Sequence, residues 1–408
     1  MKPHRYKDYP FVIIIWISII ILFSCGSEDY SSSIDLSKDH TVSVFDVFSN
    51  IQAIQLETSE DFLINQIRRI LYYEDRYYIL DERSQQIFCF DIHGHFIFKI
   101  DSQGKGPEEY HYITDLAIDR NNKQLVVLDP VVQRVHFFNL NGSYINSHTI
   151  RTEKPMGLNR VYPMKDSLLL LISITNERLQ FYSLKEDRTI YADFAYDGTS
   201  TLRAFSPEDN VYYFDDQIFF LLPLSRMVTN VSAMYPEPYF TWCFGPDNNS
   251  DEQINRLLKE INNQQHMMQK DFRIPYQAVG KNKILSHHIL KSFENERFRI
   301  AAVEFDNDFK FIVIDKNKDQ RLIFGTFKEG IRLPYQYIQS DRVIAFYKPE
   351  FGYREITIIE REGSEDYYFK RNHLLYTPEI LHEDCRKIIE NHDPMKDNPY
   401  LVIYTFKQ

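Results

Sequence analysis

"ILDERSQQIFCFDIHGHF" (Ile79 to Phe96) lies without a gap on "VLDPVVQRVHFFNLNGSY" (Val127 to Tyr144), at an offset of 48 residues. Leu80/Leu128, Asp81/Asp129, Gln85/Gln133, Phe90/Phe138 and Gly94/Gly142 are identical, and pairs such as Ile87/Val135 and Ile92/Leu140 stay apolar. In each copy one apolar run ends in Asp and a second carries the Phe. A "D-x-H-G" or "N-L-N-G" turn then reverses the chain, which suits a hairpin because Gly accepts positive φ. A weaker third copy, "ERLQFYSLKEDRTIY" (Glu177 to Tyr191), follows further along. These runs lack the 3.6-residue periodicity of helical solenoids. A strand-built period of roughly 40 to 50 residues marks a β-propeller blade of four antiparallel strands. The expected fold is therefore all-β: a six-bladed β-propeller with two short helical insertions, seven blades being the alternative.

The rest of the chain fits that reading. From residue 50 onward, short runs of Ile, Val, Leu, Phe and Tyr end at Asp, Asn or Gly, and the 28 Tyr and 31 Phe suit broad sheet-packed surfaces. "SDEQINRLLKEINNQQHMMQKDF" predicts one helix, with Ser250 as N-cap, Gln253 at capping-box spacing, and Ile254, Leu257, Leu258, Ile261 and Met268 on one face. "TPEILHEDCRKIIENH" predicts the other, capped by Thr377 with Pro378 at its first position and with Ile380, Leu381, Ile388 and Ile389 turned inward. Each reads as a cover for an exposed sheet or loop, with a lid or docking element as the functional alternative. A propeller also has to close. "NIQAIQLE" (Asn50 to Glu57) and "YLVIYTF" (Tyr400 to Phe406) are the strands expected to share one blade.

The N-terminus assigns an address. Lys2, Arg5 and Lys7 precede an apolar run from Phe11 to Phe23, 13 residues long. That is short of the roughly 20 residues of a spanning helix and fits a secretory signal over residues 1–24. The run ends in "LFSC", with Leu22 three residues before Cys25 and Gly26 after it. This resembles a bacterial lipobox, although Phe23 departs from the small or β-branched residue usual at its place. The resemblance implies lipid on Cys25, and an ordinary signal peptide is the alternative. Residues 25–45, beginning "CGSEDYSSSIDLSKDH", are polar and serine-rich and read as a flexible tether, leaving 46–408 for the propeller. Glu28 and Asp29 read either as a solvated linker or as the acidic stretch that accompanies surface export in lipoproteins of Bacteroides-like bacteria.

Charge excludes one partner class. Without residues 1–24 the chain carries 44 Lys and Arg against 57 Asp and Glu, a formal charge of −13, with no long basic block. Nucleic acid would be repelled. Cys89, Cys243 and Cys385 are widely separated and form no C-x-x-C pair, so neither a disulfide framework nor a zinc site is expected. Cys89 and Cys243 sit in the aromatic runs "IFCF" and "FTWCF" and read as buried strand residues.

Chemistry-bearing motifs are sparse. "GKGPEEY" (Gly104 to Tyr110) looks like half of a phosphate-binding loop, but it lacks the first Gly and the following Ser or Thr, and no helix pattern follows it. It reads as a connection between blades. His287 and His288 are the most metal-like pair, yet neighbours on a strand point to opposite faces. Asp215–Asp216 and Asp306/Asp308 fall at hairpin tips, where Asp forms turns. No G-x-S-x-G, H-E-x-x-H or calcium-loop pattern occurs. No catalytic residue, cofactor site or metal ligand is therefore assigned.

"IQLET" (Ile54 to Thr58), "YILD" (Tyr78 to Asp81), "FDIHGHFIFKI", "GKGPEEY" and the terminal "DNPYLVIYTFK" resemble the six-bladed β-propeller lipoproteins of Bacteroides-like bacteria, themselves similar to NHL-repeat proteins. The likeness spans roughly residues 35 to 408 and is specific in the first third and at the C-terminus. It implies an outer-membrane lipoprotein, facing the periplasm or the cell surface and held by its N-terminal lipid. The expected role is a binding module for a glycan, peptide or partner protein, within a nutrient-uptake system for example. A propeller hydrolase or lyase, with a site assembled from several blades, is the alternative.

Overall fold

The structure is a computed structural model that describes residues 33–152, 157–173, 178–194, 210–222, 224–263, 287–306, 308–334, 337–347, 380–393 and 396–408, with four short strands between 354 and 372. Six four-stranded antiparallel sheets form a ring, a six-bladed β-propeller. Blade 1 comprises Ile67–Tyr73, Arg76–Asp81, Gln86–Asp91 and Phe96–Ile100, from the centre outward. Blade 2 runs through Asp115–Asp119, Gln124–Asp129, Arg134–Asn139 and Tyr144–Thr149. The inner strands of blades 3, 4 and 5 are Leu158–Pro163, Val211–Phe214 and His287–Glu294.

The repeat has a physical cause at each identical position. Asp81 accepts the backbone N–H groups of Arg83, Asn65 and Gln66, and Asp129 accepts those of Val131, His111 and Tyr112. One buried carboxylate thus forms the turn after its own strand and holds the chain entering the blade. Gln85 and Gln133 close those turns at φ 57° and 56°. Gly94 and Gly142, at φ 88° and 86°, follow a bulge that falls between Cys89 and Phe90 in one blade and between Phe137 and Phe138 in the next. Phe90 packs between blades 6 and 1 and Phe138 between blades 1 and 2, so the repeat copies an interface. The third copy is the outer hairpin of blade 3, Leu179–Ser183 with Arg188–Asp193.

Blade 6 joins the two ends of the chain. Its order from the outside is Phe48–Gln55, Tyr400–Phe406, Arg342–Tyr347 and Tyr337–Ile338. Ile51 pairs with Tyr404, Ala53 with Val402 and Ile54 with Leu401, which sets the apolar positions of the N-terminal strand against a continuously apolar partner. Tyr400–Tyr404 is buried throughout, since this strand lies between two others and under two neighbouring blades.

Several expectations need correction. The segment read as a tether through residue 45 is packed from Ile34 onward. Leu36, Val42, Val44 and Val47 are fully buried, and the Ile34 and His40 N–H groups bond the Cys243 and Ile323 carbonyls at 2.8 and 2.7 Å. A four-residue helix α1 (Val44–Val47) ends it, with Ser43 as cap and the Glu329 carboxylate accepting the Val44 N–H. Cys243 lies on a loop after the strand and is half-buried, whereas Cys89 is buried as expected.

The first helical insertion is α2 (Asp251–Asn263), between blades 4 and 5. Its capping box is formed, with Gln253 N–H donating to Ser250 Oγ at 3.2 Å and Ser250 N–H to Gln253 Oε1 at 2.7 Å. Leu257 is fully buried, and Met268 lies outside the described residues. The second, α3 (Glu383–Asn391), starts later than the Thr377–Pro378 signal placed it, because His382 takes the N-cap position. Ile380 and Leu381 are buried ahead of the helix, and Thr377 and Pro378 lie outside the described residues.

Candidate functional site

The inner strands do not touch at the ring's axis. They leave a funnel of about 690 Å³ that opens on the face carrying the turns between first and second strands, and all six blades contribute to its wall. Arg69 and Tyr72 come from blade 1, Arg120 from blade 2, Tyr162 and Lys165 from blade 3. Tyr212, Tyr213, Asp215 and Asp216 come from blade 4, Phe293 and Glu296 from blade 5, Gln339 from blade 6.

The deep wall is closed by satisfied charges. Asp115 is fully buried and lies 3.5 Å from Arg69 Nε and 3.4 Å from Arg160 Nη1, while its second oxygen accepts the Val161 N–H at 2.9 Å. These bonds tie the inner strands of blades 1, 2 and 3. Gln339 joins blade 6 to blade 1 by accepting the Tyr72 N–H at 3.2 Å and donating to the Ile70 carbonyl at 3.4 Å. Behind blades 4 and 5, Glu294 is almost fully buried between Arg299, whose Nε and Nη2 donate to its two oxygens at 2.8 and 2.9 Å, and Lys316 Nζ at 3.0 Å. Each charge there has a hydrogen-bonded counterpart, which burial demands.

The remaining lining is aromatic with polar tips. Tyr162 and Tyr213 lie 6.1 Å apart, Tyr212 sits 5.8 Å from Phe293, and Arg69 stands over the Tyr162 ring at 5.7 Å. Burial raises the Tyr72, Tyr212 and Tyr213 phenols above the ordinary tyrosine range, so they remain hydrogen-bond donors at neutral pH. Tyr162 and Tyr212 are 2% and 4% exposed and belong to the packed wall, so the half-buried Tyr72 and Tyr213 are the rings whose apolar faces and hydroxyl tips meet a ligand.

The residues singled out from sequence are distributed as follows. Asp215 and Asp216, at φ 48° and 55°, form the blade 4 turn and stand at the funnel mouth. Asp306 (φ 52°) and Asp308 belong to a hairpin between second and third strands of blade 5, hence on the opposite face. His287 and His288 sit at that far end too. The His287 ring lies edge-on to Phe244 at 4.4 Å and His288 Nε2 is 3.3 Å from Glu304, so the two rings point apart. "GKGPEEY" joins blades 1 and 2. Gly104 N–H bonds the Tyr110 carbonyl, Glu109 accepts the Gly106 N–H, and the Tyr110 hydroxyl donates to the Gln85 carbonyl at 2.8 Å. Its own acidic side chain fills the place an anion would need. Cys25 lies outside the described residues. Among the described residues no group of three or more His, Cys, Asp or Glu could hold a metal ion, and no helix is long and apolar enough to cross a membrane.

A family model described as a domain of unknown function, DUF4934, matches residues 31–405. The chain belongs to the DUF4934 family. No curated protein matches it. The crystal structure of an inferred exported protein from Bacteroides fragilis is 15% identical, covering 90% of this DUF4934 chain and 98% of its own, with a TM-score of 0.60. A member of the DUF4221 family from Bacteroides vulgatus is 13% identical over 88% of this chain and 97% of its own, at a TM-score of 0.45. The first of these shows that the propeller fold recurs across nearly the whole length of both chains.

Proposed function

We propose that this DUF4934 protein is an exported, lipid-anchored binding module whose ligand enters the funnel on the propeller axis. The observation that carries the reading is the funnel wall: the half-buried Tyr72 and Tyr213, from blades 1 and 4, line an opening to which every blade contributes, and the buried Tyr162 of blade 3 packs 6.1 Å from Tyr213. The buried carboxylates beneath it, Asp115 and Glu294, are already bound to two cations each and serve as structure. An export signal over residues 1–24, lipid on Cys25 and an outer-membrane address are consistent with the B. fragilis neighbour's description as exported. A glycan, a peptide or a partner protein, for instance in nutrient uptake, is the ligand class. The exposed carboxylates Asp215, Asp216 and Glu296 at the same mouth support the second reading, a hydrolase or lyase assembled from several blades.

One experiment separates the readings. Full-length protein is used for pull-down from membranes and for glycan-array screening, beside a Tyr213→Ala variant whose folding is checked by circular dichroism. The module reading expects capture by the wild type that the variant loses, with the captured ligand unchanged in mass. Cleavage of the ligand supports the enzyme instead, and capture unaffected by the variant places binding elsewhere.

A further inference from the structure

The funnel mouth is electrically divided, and the division follows the blade order. Arg120 and Lys165 line it from blades 2 and 3. Asp215, Asp216 and Glu296 line it from blades 4 and 5. All five side chains are exposed, and among the described residues none of them forms an ion pair. This contrasts with the charges immediately below, where Arg69, Arg160, Arg299 and Lys316 are each paired. Asp166 shares the blade 3 turn with Lys165 but does not line the funnel, and Glu74 on the blade 1 turn is occupied by Lys123 at 2.9 Å.

Arg120 has a further peculiarity. Its guanidinium lies 5.8 Å from the Tyr73 ring centre and 5.9 Å from that of Tyr213. Those rings belong to blades 1 and 4, opposite members of a six-blade ring, so the cation stands across the opening and not against one wall. Two ring faces hold it there while its N–H fork stays available to a planar anion.

We propose, building on the binding-module reading, that the funnel takes a short zwitterionic peptide, with a carboxylate on Arg120 and Lys165 and an ammonium against Asp215, Asp216 and Glu296. An acidic glycan would meet three carboxylates on half of the rim, and a neutral glycan would leave both sets of charges unused. A peptide with free ends offers both signs on one molecule, and its apolar or aromatic side chains can stack on the half-buried Tyr213. Four residues span about 10 to 14 Å when extended, which suits a funnel of this volume.

The test uses the full chain in detergent and a pool of tetrapeptides with neutral side chains, prepared with free ends, acetylated, or amidated. Maltohexaose and oligogalacturonate are the sugar probes. Free-ended peptides are expected to bind at least tenfold more tightly than either blocked form. Arg120→Gln should remove the advantage of a free carboxylate while sparing the preference for a free amine. Asp215→Asn/Asp216→Asn should do the reverse. Peptide binding that ignores both termini overturns the dipolar inference and leaves the module intact. Sugar binding in place of peptide binding does the same. If no probe binds while Tyr213→Ala still abolishes capture from membranes, the peptide inference fails alone. If that variant has no effect either, both readings fail.

Discussion

At Gly94 the backbone holds φ 88°, and an added Cβ would stand 2.1 Å from the Gln55 carbonyl oxygen on the outermost strand of blade 6. At Gly142 the same atom would meet the Phe98 ring at 2.6 Å, on the outermost strand of blade 1. The two glycines therefore fit consecutive blades together as well as turning the chain. Gly330 supplies a control, because its φ is 79° and nothing lies within 4 Å of the added atom. Gly330→Ala should cost about 1 kcal/mol, the penalty of the left-handed backbone alone. Gly94→Ala adds a clash with backbone and should cost several times as much, about 3 kcal/mol or more. Urea midpoints of the two variants check this, and equal losses would show that the blade contact is unimportant. Histidines allow a second test. Burial holds His287 at about 4 and His288 at about 3, and lowers His136 below the ordinary imidazole range. The unfolded chain takes up these protons near pH 6.5 and the folded chain refuses them. Stability is therefore complete above about pH 6.5 and falls as the pH drops toward 4, by about 1.4 kcal/mol per pH unit for each of His287 and His288. Unfolding midpoints that stay level between pH 7 and 5 would contradict this, whereas His288→Gln should flatten the slope.

Among the elements, those built on a local repeat were legible in the sequence and those built on distant contacts were not. The hairpins of blades 1 and 2 announce themselves through Asp81, Asp129, Gly94 and Gly142, whose roles are fulfilled within a few residues. The segment 34–45 gave the opposite impression. Its apolar residues are spaced irregularly among Ser, Asp and Lys, so composition suggests a solvated tether. Its partners, however, are Cys243, Ile323 and Lys328, far away in sequence. The second helix shows the same limit, since Thr377 and Pro378 carry a good start signal while the described helix is capped by His382. Because the segment from Ile34 onward is packed on the folded body, Leu36→Ala, at a fully buried position, should cost about 2 to 4 kcal/mol in global unfolding. A true tether would tolerate it with no change in midpoint.

For the whole molecule, the funnel could not be read from any linear motif, because its lining comes from six inner strands whose neighbours in space are separated by whole blades. The closure could be read, because the alternating run Asn50 to Glu57 and the continuous β-rich run Tyr400 to Phe406 lie near the two ends. Tyr400–Phe406 pairs on one side with the N-terminal strand and on the other with Arg342–Tyr347, and it is the third strand of its blade. Its Val402 and Tyr404 pack in the core shared with blades 4 and 5, and Leu401 and Ile403 in the interface with blade 1. Removal of residues 401–408 would take away this strand, strip the N-terminal strand of its only sheet partner among the described residues, and expose two edges and two interfaces at once. Blades 1 to 3 would keep their own sheets, so the expected result is loss of a single cooperative transition, not a uniform fall in midpoint. Calorimetry of the truncated protein should show a broadened or multi-step unfolding, with amide exchange accelerated first at Ile51–Ile54 and Arg342–Tyr347. A truncated chain that melts in one transition at the wild-type temperature would mean that the ring holds without its closing strand.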